Sequence, residues 1–296
     1  MKKSECGVIK SPKDNRDWKA ENILSKKIVL PERLMYKDDF KKPRAQHGHG
    51  TCSAMTASAV KEWQEYKDVF NIKKPYFSPA FVYNHRSNYP NEGMYSRNTM
   101  KILQKNGICL EEDYPYNDEN VKNHKDEIPD EIISKAKNYR IKNYASVNSI
   151  DGLKKALKKN GPCYISFPVY NSTTRFWKKN ENDEFRGGHA VTIVGYDDNK
   201  EIYDQKGAFL FRNSWGDDWG DNKDGHAWFP YCDFGDQWYI WTTIDEISKL
   251  PDKNYYINWA KNYFIKKIKK FFTKNKIVLI TIASLLFLYI VYNLLS

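Results

Sequence analysis

The chain has 296 residues, 41% hydrophobic and 15% aromatic, enough for one large domain, or two lobes sharing a core, plus an appendage. Its formal charge of +11 suggests a nucleic-acid partner until the charge is located: between Pro251 and Lys276 eight lysines stand against one acid, Asp252, so most of the excess belongs to a single segment. No basic motif in the body interleaves with aromatics, and no nucleic acid is expected as a partner.

The five cysteines, Cys6, Cys52, Cys109, Cys163 and Cys232, are odd in number, widely spaced and without a CxxC pair. A complete disulfide framework is therefore not expected. The N-terminus is basic at its start but has no apolar run behind it, unlike a secretory leader. These features fit a reducing, cytosolic setting for the body of the protein.

In chain order, residues 1–29 read as a polar N-terminal extension. Residues 30–44 read as extended chain or loop, broken by Pro31 and Pro43. A Gly- and His-rich loop, Gln46-His47-Gly48-His49-Gly50-Thr51, runs into Cys52. From Cys52 onward, Met55, Ala59, Trp63 and Tyr66 recur at helical spacing. Residues 97–106 and 150–159 read as two further helices, with Gly107 and Gly161 placed as terminators. After residue 160 the pattern changes to strands, at 163–170, 190–195 and 208–212. Helices first and strands second imply an α+β protein of two lobes, helical at the N-terminal side and β-rich at the C-terminal side, over residues 30–250.

The tail is a separate problem. Residues 251–276 form a basic juxtamembrane segment in which Phe264, Ile268, Phe271 and Phe272 line one helical face and lysines the other. Ile277–Leu295 contains no charged residue. As a helix it spans about 28 Å, close to a bilayer's hydrocarbon core. We expect a single-pass transmembrane helix and, from the lysines on its N-terminal side, a body facing the cytosol and a flank attracted to anionic lipid.

Taken singly, the candidate chemical residues are weak signals. Cys52 sits at the expected first turn of a helix, where unsatisfied amides favour a thiolate. His189 follows two glycines and opens a strand, and Asn213 precedes Ser214-Trp215-Gly216. Taken together they change the reading, because His189 and Asn213 lie downstream of a cysteine near the start of its domain, in the spacing used by papain-like enzymes. Gln46 stands six residues before Cys52, Gly50-Thr51-Cys52-Ser53-Ala54 resembles the family's nucleophile motif, and Gly188-His189-Ala190-Val191 and Asn213-Ser214-Trp215-Gly216 resemble its histidine and asparagine motifs. Leu30-Pro31, residues 77–81, residues 107–116 and Gly161-Pro162 add lesser landmarks.

The chain thus resembles the papain-like cysteine proteases over about residues 30–245. It is closest to the divergent forms of bacteria and large DNA viruses, which carry a segment like Asp14-Asn15-Arg16-Asp17. The resemblance implies a membrane-tethered peptidase acting on peptides or proteins. Cys52 would be the nucleophile, His189 the base, Asn213 the group orienting it, Gln46 an oxyanion donor, and Trp215 a shield for the His–Asn bond. It implies no cofactor and no metal, although His47, His49 and Cys52 form a His-x-His-x-x-Cys run. Departures include Ser53, where the family has an aromatic residue, and Glu92-Gly93 at the substrate-strand glycine pair. Residues 1–29 are also fewer than the family's usual inhibitory propeptide, so either no zymogen is needed or control lies elsewhere. The competing expectations are another Cys-His acyl transferase or isopeptidase, and an inactive papain-like scaffold in a membrane or virion.

Overall fold

The computed structural model describes residues 6–25, 27–68 and 75–245. In chain order the elements are β1 (Val8–Ile9), α1 (Ala20–Ile23), β2 (Arg33–Met35), α2 (Cys52–Asp68), α3 (Pro79–Asn84), β3 (Met94–Tyr95), α4 (Ser96–Lys105), α5 (Asp130–Ala136), β4 (Asn143–Ser146), α6 (Ile150–Asn160), β5 (Cys163–Val169), β6 (Gly187–Ile202), β7 (Gln205–Arg212), β8 (His226–Pro230) and β9 (Tyr239–Ile244). This is the expected α+β order. Among the described residues no helix is long and apolar enough to cross a membrane, and the segments read from the sequence at 251–276 and 277–295 lie outside them.

The helices form where the sequence supplies both a periodic apolar face and a terminator. On α4, Met100, Ile102 and Leu103 are buried, and Gly107 follows the helix at φ +76°. On α6, Ser149 caps the first turn by accepting from the Gly152 amide at 3.0 Å, while Leu153, Ala156 and Leu157 are buried. Gly161 ends that helix at φ +85°, where an added Cβ would lie 2.1 Å from the Trp63 ring. Only glycine suits this turn, which packs α6 onto α2.

The long strand β6 organises the sheet. Its first half pairs antiparallel with β5, from Val169↔Gly187 to Cys163↔Ile193. Its second half pairs with β7, with a register shift between Ile193 and Gly195. Alternate residues of β6 serve different cores, so its apolar run is buried on both faces. Ala190 packs into the helical lobe with Cys52, Ala54 and Phe81, whereas Val191 and Ile193 pack into the sheet lobe with Phe167, Phe211 and Phe229. Burial of one such aliphatic side chain contributes about 1.5–3 kcal/mol.

The lobes meet through polar groups that are paired rather than excluded. Lys61 of α2 is fully buried and bonds Glu65 at 2.8 Å and Asp245 at 2.6 Å. Arg44 bridges Glu62 of α2 at 2.7 Å and Glu111 at 3.0 Å. Ser53, which stands where the family has an aromatic residue, bonds Thr99 at 2.7 Å and Tyr164 at 2.8 Å in the interior. Its hydroxyl therefore joins α2, α4 and β5.

Candidate active site

Cys52 is the first residue of α2, with Thr51 just before it supplying the carbonyl that accepts the Met55 amide at 2.9 Å. Its sulfur thus stands at the positive end of a long helix. His189 is the third residue of β6, and Asn213 follows the end of β7. Adjacency of the two strands brings Asn213 to the ring, and His189 Nε2 lies 2.7 Å from Asn213 Oδ1. The Ser214 amide donates to the same oxygen at 2.8 Å. Since that atom receives a backbone N–H it is the amide oxygen, and His189 Nε2 must be the protonated nitrogen.

An aromatic box fixes the imidazole. Trp215 stacks on it with ring centres 4.5 Å apart and planes at 27°, and Phe176 meets it edge-on at 5.5 Å. His189 is fully buried and Asn213 is 3% exposed. Exclusion of water strengthens the His–Asn bond. The position expected for Trp215 over that bond is the one observed.

Gln46 reaches the same place from a loop fastened to both lobes. Its amide donates to Ser214 O at 2.9 Å, its Oε1 accepts from Ser214 Oγ at 2.7 Å, and its Nε2 donates to His49 O at 2.7 Å. Tyr116 donates to its carbonyl at 2.8 Å. Beside it opens a depression of about 380 Å³ lined by Gln46, His47, Ser172, Ser214, Trp215 and Trp219. His49, one member of the His-x-His-x-x-Cys run, turns to Asp118 at 2.8 Å. Among the described residues no group of His, Cys, Asp or Glu is arranged to hold a metal ion.

The residues that sequence reasoning missed lie at the other end of the chain. The N-terminal segment runs through the cleft as an extended strand. The Gly7 amide donates to Cys52 Sγ at 3.3 Å, and Gly7 O accepts from the Met94 amide at 2.8 Å. Val8 pairs parallel with Met94 on the helical side and antiparallel with Gly188 on the sheet side. Five glycines make this passage. An added Cβ on Gly7 would lie 2.0 Å from Gly50 O, one on Gly93 2.9 Å from Gly7 O, one on Gly188 2.5 Å from Val8 O, and one on Gly187 2.7 Å from Cys6 Cβ. Gly50 completes the stack with Gly93 N 3.1 Å from its own added Cβ.

Further along, the Arg97 amide donates to Ser11 Oγ at 3.2 Å, and Arg97 Nη2 pairs with Asp17 at 2.6 Å. The Ser146 amide donates to Trp18 O at 2.7 Å. The Asp14-Asn15-Arg16-Asp17 segment was the one sequence signal of this arrangement, since Asp17 is the anchor of the strand on the helical lobe.

The consequence for the thiol is electrostatic. Cys52 is fully buried, and burial pushes its pKa from 9.0 up to about 11, against the lowering effect of amide hydrogen bonds from Ala190, Gly7 and Ser53. Because the folded-state pKa is the raised one, the buried thiol's contribution to folding stability is full below pH 9 and is lost as pH rises through about 11.

Comparison with known proteins agrees with this geometry. The family described as "Papain family cysteine protease" matches residues 31–229. Cysteine proteinase 3 of Entamoeba histolytica is 26% identical over 216 residues, 68% of this chain and 63% of that one, so the match spans just under two thirds of the relative's own length. An uncharacterised peptidase C1-like protein of Acanthamoeba polyphaga mimivirus is 25% identical over 78% of this chain and 77% of its own. The crystal structure of xylellain, a cysteine protease from Xylella fastidiosa, superposes with a TM-score of 0.69 at 27% identity, covering 83% of this chain and 97% of that chain. With its family match running through the helix of Cys52 and the strands of His189 and Asn213, this chain is a member of the papain family of cysteine proteases.

Proposed function

We propose that the protein is a membrane-tethered cysteine peptidase that hydrolyses peptide bonds through a covalent acyl-enzyme, and that this structure is its closed form. The observation that carries the reading is a peptide strand, the chain's own, lying extended between Met94 and Gly188 with its Gly7 amide 3.3 Å from Cys52 Sγ. A groove that pairs with one backbone strand over a nucleophile is suited to another.

In the open form, His189 Nε2 keeps its proton and donates it to Asn213 Oδ1, so Nδ1 is the nitrogen that exchanges a proton with the Cys52 thiol. Cys52 gives up its proton to His189 and attacks the substrate carbonyl carbon. The carbonyl's electron pair moves onto its oxygen, which receives the Cys52 amide and the Gln46 side-chain amide, one such donor contributing about 2.7–4 kcal/mol. His189 protonates the leaving amine, then takes a proton from the water that releases the acid product and the thiol. Asn213, being neutral, orients the imidazolium without drawing off its charge. Trp215 and Phe176 keep the pair dry.

The tether is proposed on the uncharged run Ile277–Leu295 and the lysine-rich residues before it. Protection of the body from added protease inside sealed vesicles would overturn the cytosolic orientation. The activity is tested on the full chain under reducing conditions with an epoxide inhibitor of papain-like enzymes and adduct mapping. We expect one adduct, at Cys52, that His189→Ala abolishes. Equal labelling of all the cysteines would favour the inactive-scaffold reading.

A further inference from the structure

The N-terminal strand carries its own thiol into the cleft. Cys6 is partly buried, is not in a disulfide, and directly precedes the glycine whose amide sits on Cys52. In a planar trans peptide the N–H and the preceding Cα lie on the same side, so with Gly7 N 3.3 Å from Cys52 Sγ the Cα of Cys6 falls about 4 Å from that sulfur. The two Cα atoms are then no more than about 7 Å apart, within the outer reach of a disulfide. The cleft also makes room for the Cys6 side chain at Gly187, where an added Cβ would lie 2.7 Å from Cys6 Cβ. The other cysteines are placed differently, with Cys109 and Cys163 buried in the two cores and Cys232 exposed beside Asp233.

We infer that Cys6 is the redox partner of Cys52: a hydroperoxide joins the two in a disulfide that locks the N-terminal strand across the cleft, and thiol reduction unlocks it. Cys6 is the entry point because Cys52 is fully buried beneath Gly7. The Cys6 sulfur attacks the peroxide, the O–O bond breaks, and Cys6 becomes a sulfenic acid as the alcohol or water leaves. Cys52 then attacks the sulfenic sulfur, the S–S bond forms, and hydroxide departs with the Cys52 proton as water. The two electrons lost by the sulfur pair are those gained by the peroxide. Reduction by a dithiol reverses the oxidation and returns both thiols.

This goes beyond the peptidase reading, since the crosslink requires proximity and not turnover. The full chain would be reduced, freed of reductant and exposed to a few equivalents of hydrogen peroxide, then mapped without reduction. We expect a Cys6–Cys52 linked peptide and at least a tenfold loss of epoxide labelling at Cys52, both reversed by dithiothreitol. The linked peptide should vanish in Cys6→Ser and persist in Cys232→Ser. Absence of the linked peptide in the wild-type protein, or linkage of Cys52 to Cys109, Cys163 or Cys232 instead, would overturn the inference. Because the crosslink is read by mass, a protein that links but shows no peptidase activity would contradict the proposed function and leave this one standing.

Discussion

The two walls of the cleft hold their chemical groups by different means. His189, on the sheet wall, is set by side chains: Asn213 at 2.7 Å, Trp215 stacked at 4.5 Å and Phe176 edge-on. None of these belongs to the N-terminal strand. Cys52, on the helical wall, is set by backbone: the start of α2, the amides of Ala190 and Ser53, and the Gly7 amide that the N-terminal strand adds. On the proposed opening of the cleft, the groups that hold the imidazole would stay in place, whereas the thiol would lose the Gly7 amide. Control can act on the nucleophile without rebuilding the base.

Variants on each wall break or sharpen this contrast. The largest effect is expected for His189→Ala, which should lower turnover by about 10³-fold or more, since no other group can receive the thiol proton. Gln46→Ala comes next, with about 10²–10³ lost from kcat on a small peptide substrate and a lowered melting temperature, since its buried bonds to Ser214 and His49 are lost at a cost of about 1–3 kcal/mol. On the helical wall the sign reverses. Gly7→Ala places a methyl 2.0 Å from Gly50 O and must displace the strand, so Cys52 alkylation should rise about tenfold or more, a shift of about 1.4 kcal/mol in the closure equilibrium. Asp17→Asn removes the carboxylate that Arg97 holds at 2.6 Å, away from the thiol, and should raise alkylation only a few-fold, a shift of under about 1 kcal/mol in closure.

The smallest effect concerns pH and the sheet wall alone. His226 is buried beside Arg212, and burial, then that positive charge, hold its pKa down from 6.5 to about 4. The lowered folded-state value means its contribution is complete above pH 6.5 and is lost as pH falls through about 4. Melting temperatures followed from pH 7 to pH 4 should fall less steeply in His226→Gln than in the wild-type protein.

The same contrast marks what was legible in the sequence. The helices at Cys52, at 97–106 and at 150–159 were readable, the first from its local apolar period and the other two from a local terminator as well, and the structure places them at Cys52–Asp68, Ser96–Lys105 and Ile150–Asn160. Strands β5, β6 and β7 announced themselves as apolar runs, though β6 continues to Ile202 through polar residues that only its pairing with β7 reveals. Gln46, Cys52, His189 and Asn213 were singled out by spacing, and the fold brings His189 to Asn213 and Gln46 to Ser214, each at 2.7 Å. Strand β1 was illegible for a physical reason: its two residues, Val8 and Ile9, have no periodicity, and their partners are Met94, Tyr95 and Gly188. The inward role of Ser53 was illegible on the same ground, because its bonds run to Thr99 and Tyr164, far along the chain.

The most direct test of the account is the pH dependence of Cys52 alkylation by iodoacetamide, site-resolved by mass spectrometry, in the reduced full chain and in Gly7→Ala. If the N-terminal strand silences a prepared Cys52–His189 pair, the wild-type thiol should behave as a buried one whose reactivity still climbs above pH 9, toward its closed-state pKa of about 11. Gly7→Ala should already react fast near pH 7, and the added His189→Ala change should remove that reactivity. Superimposable profiles for wild type and Gly7→Ala, or a Gly7→Ala profile indifferent to His189, would contradict it.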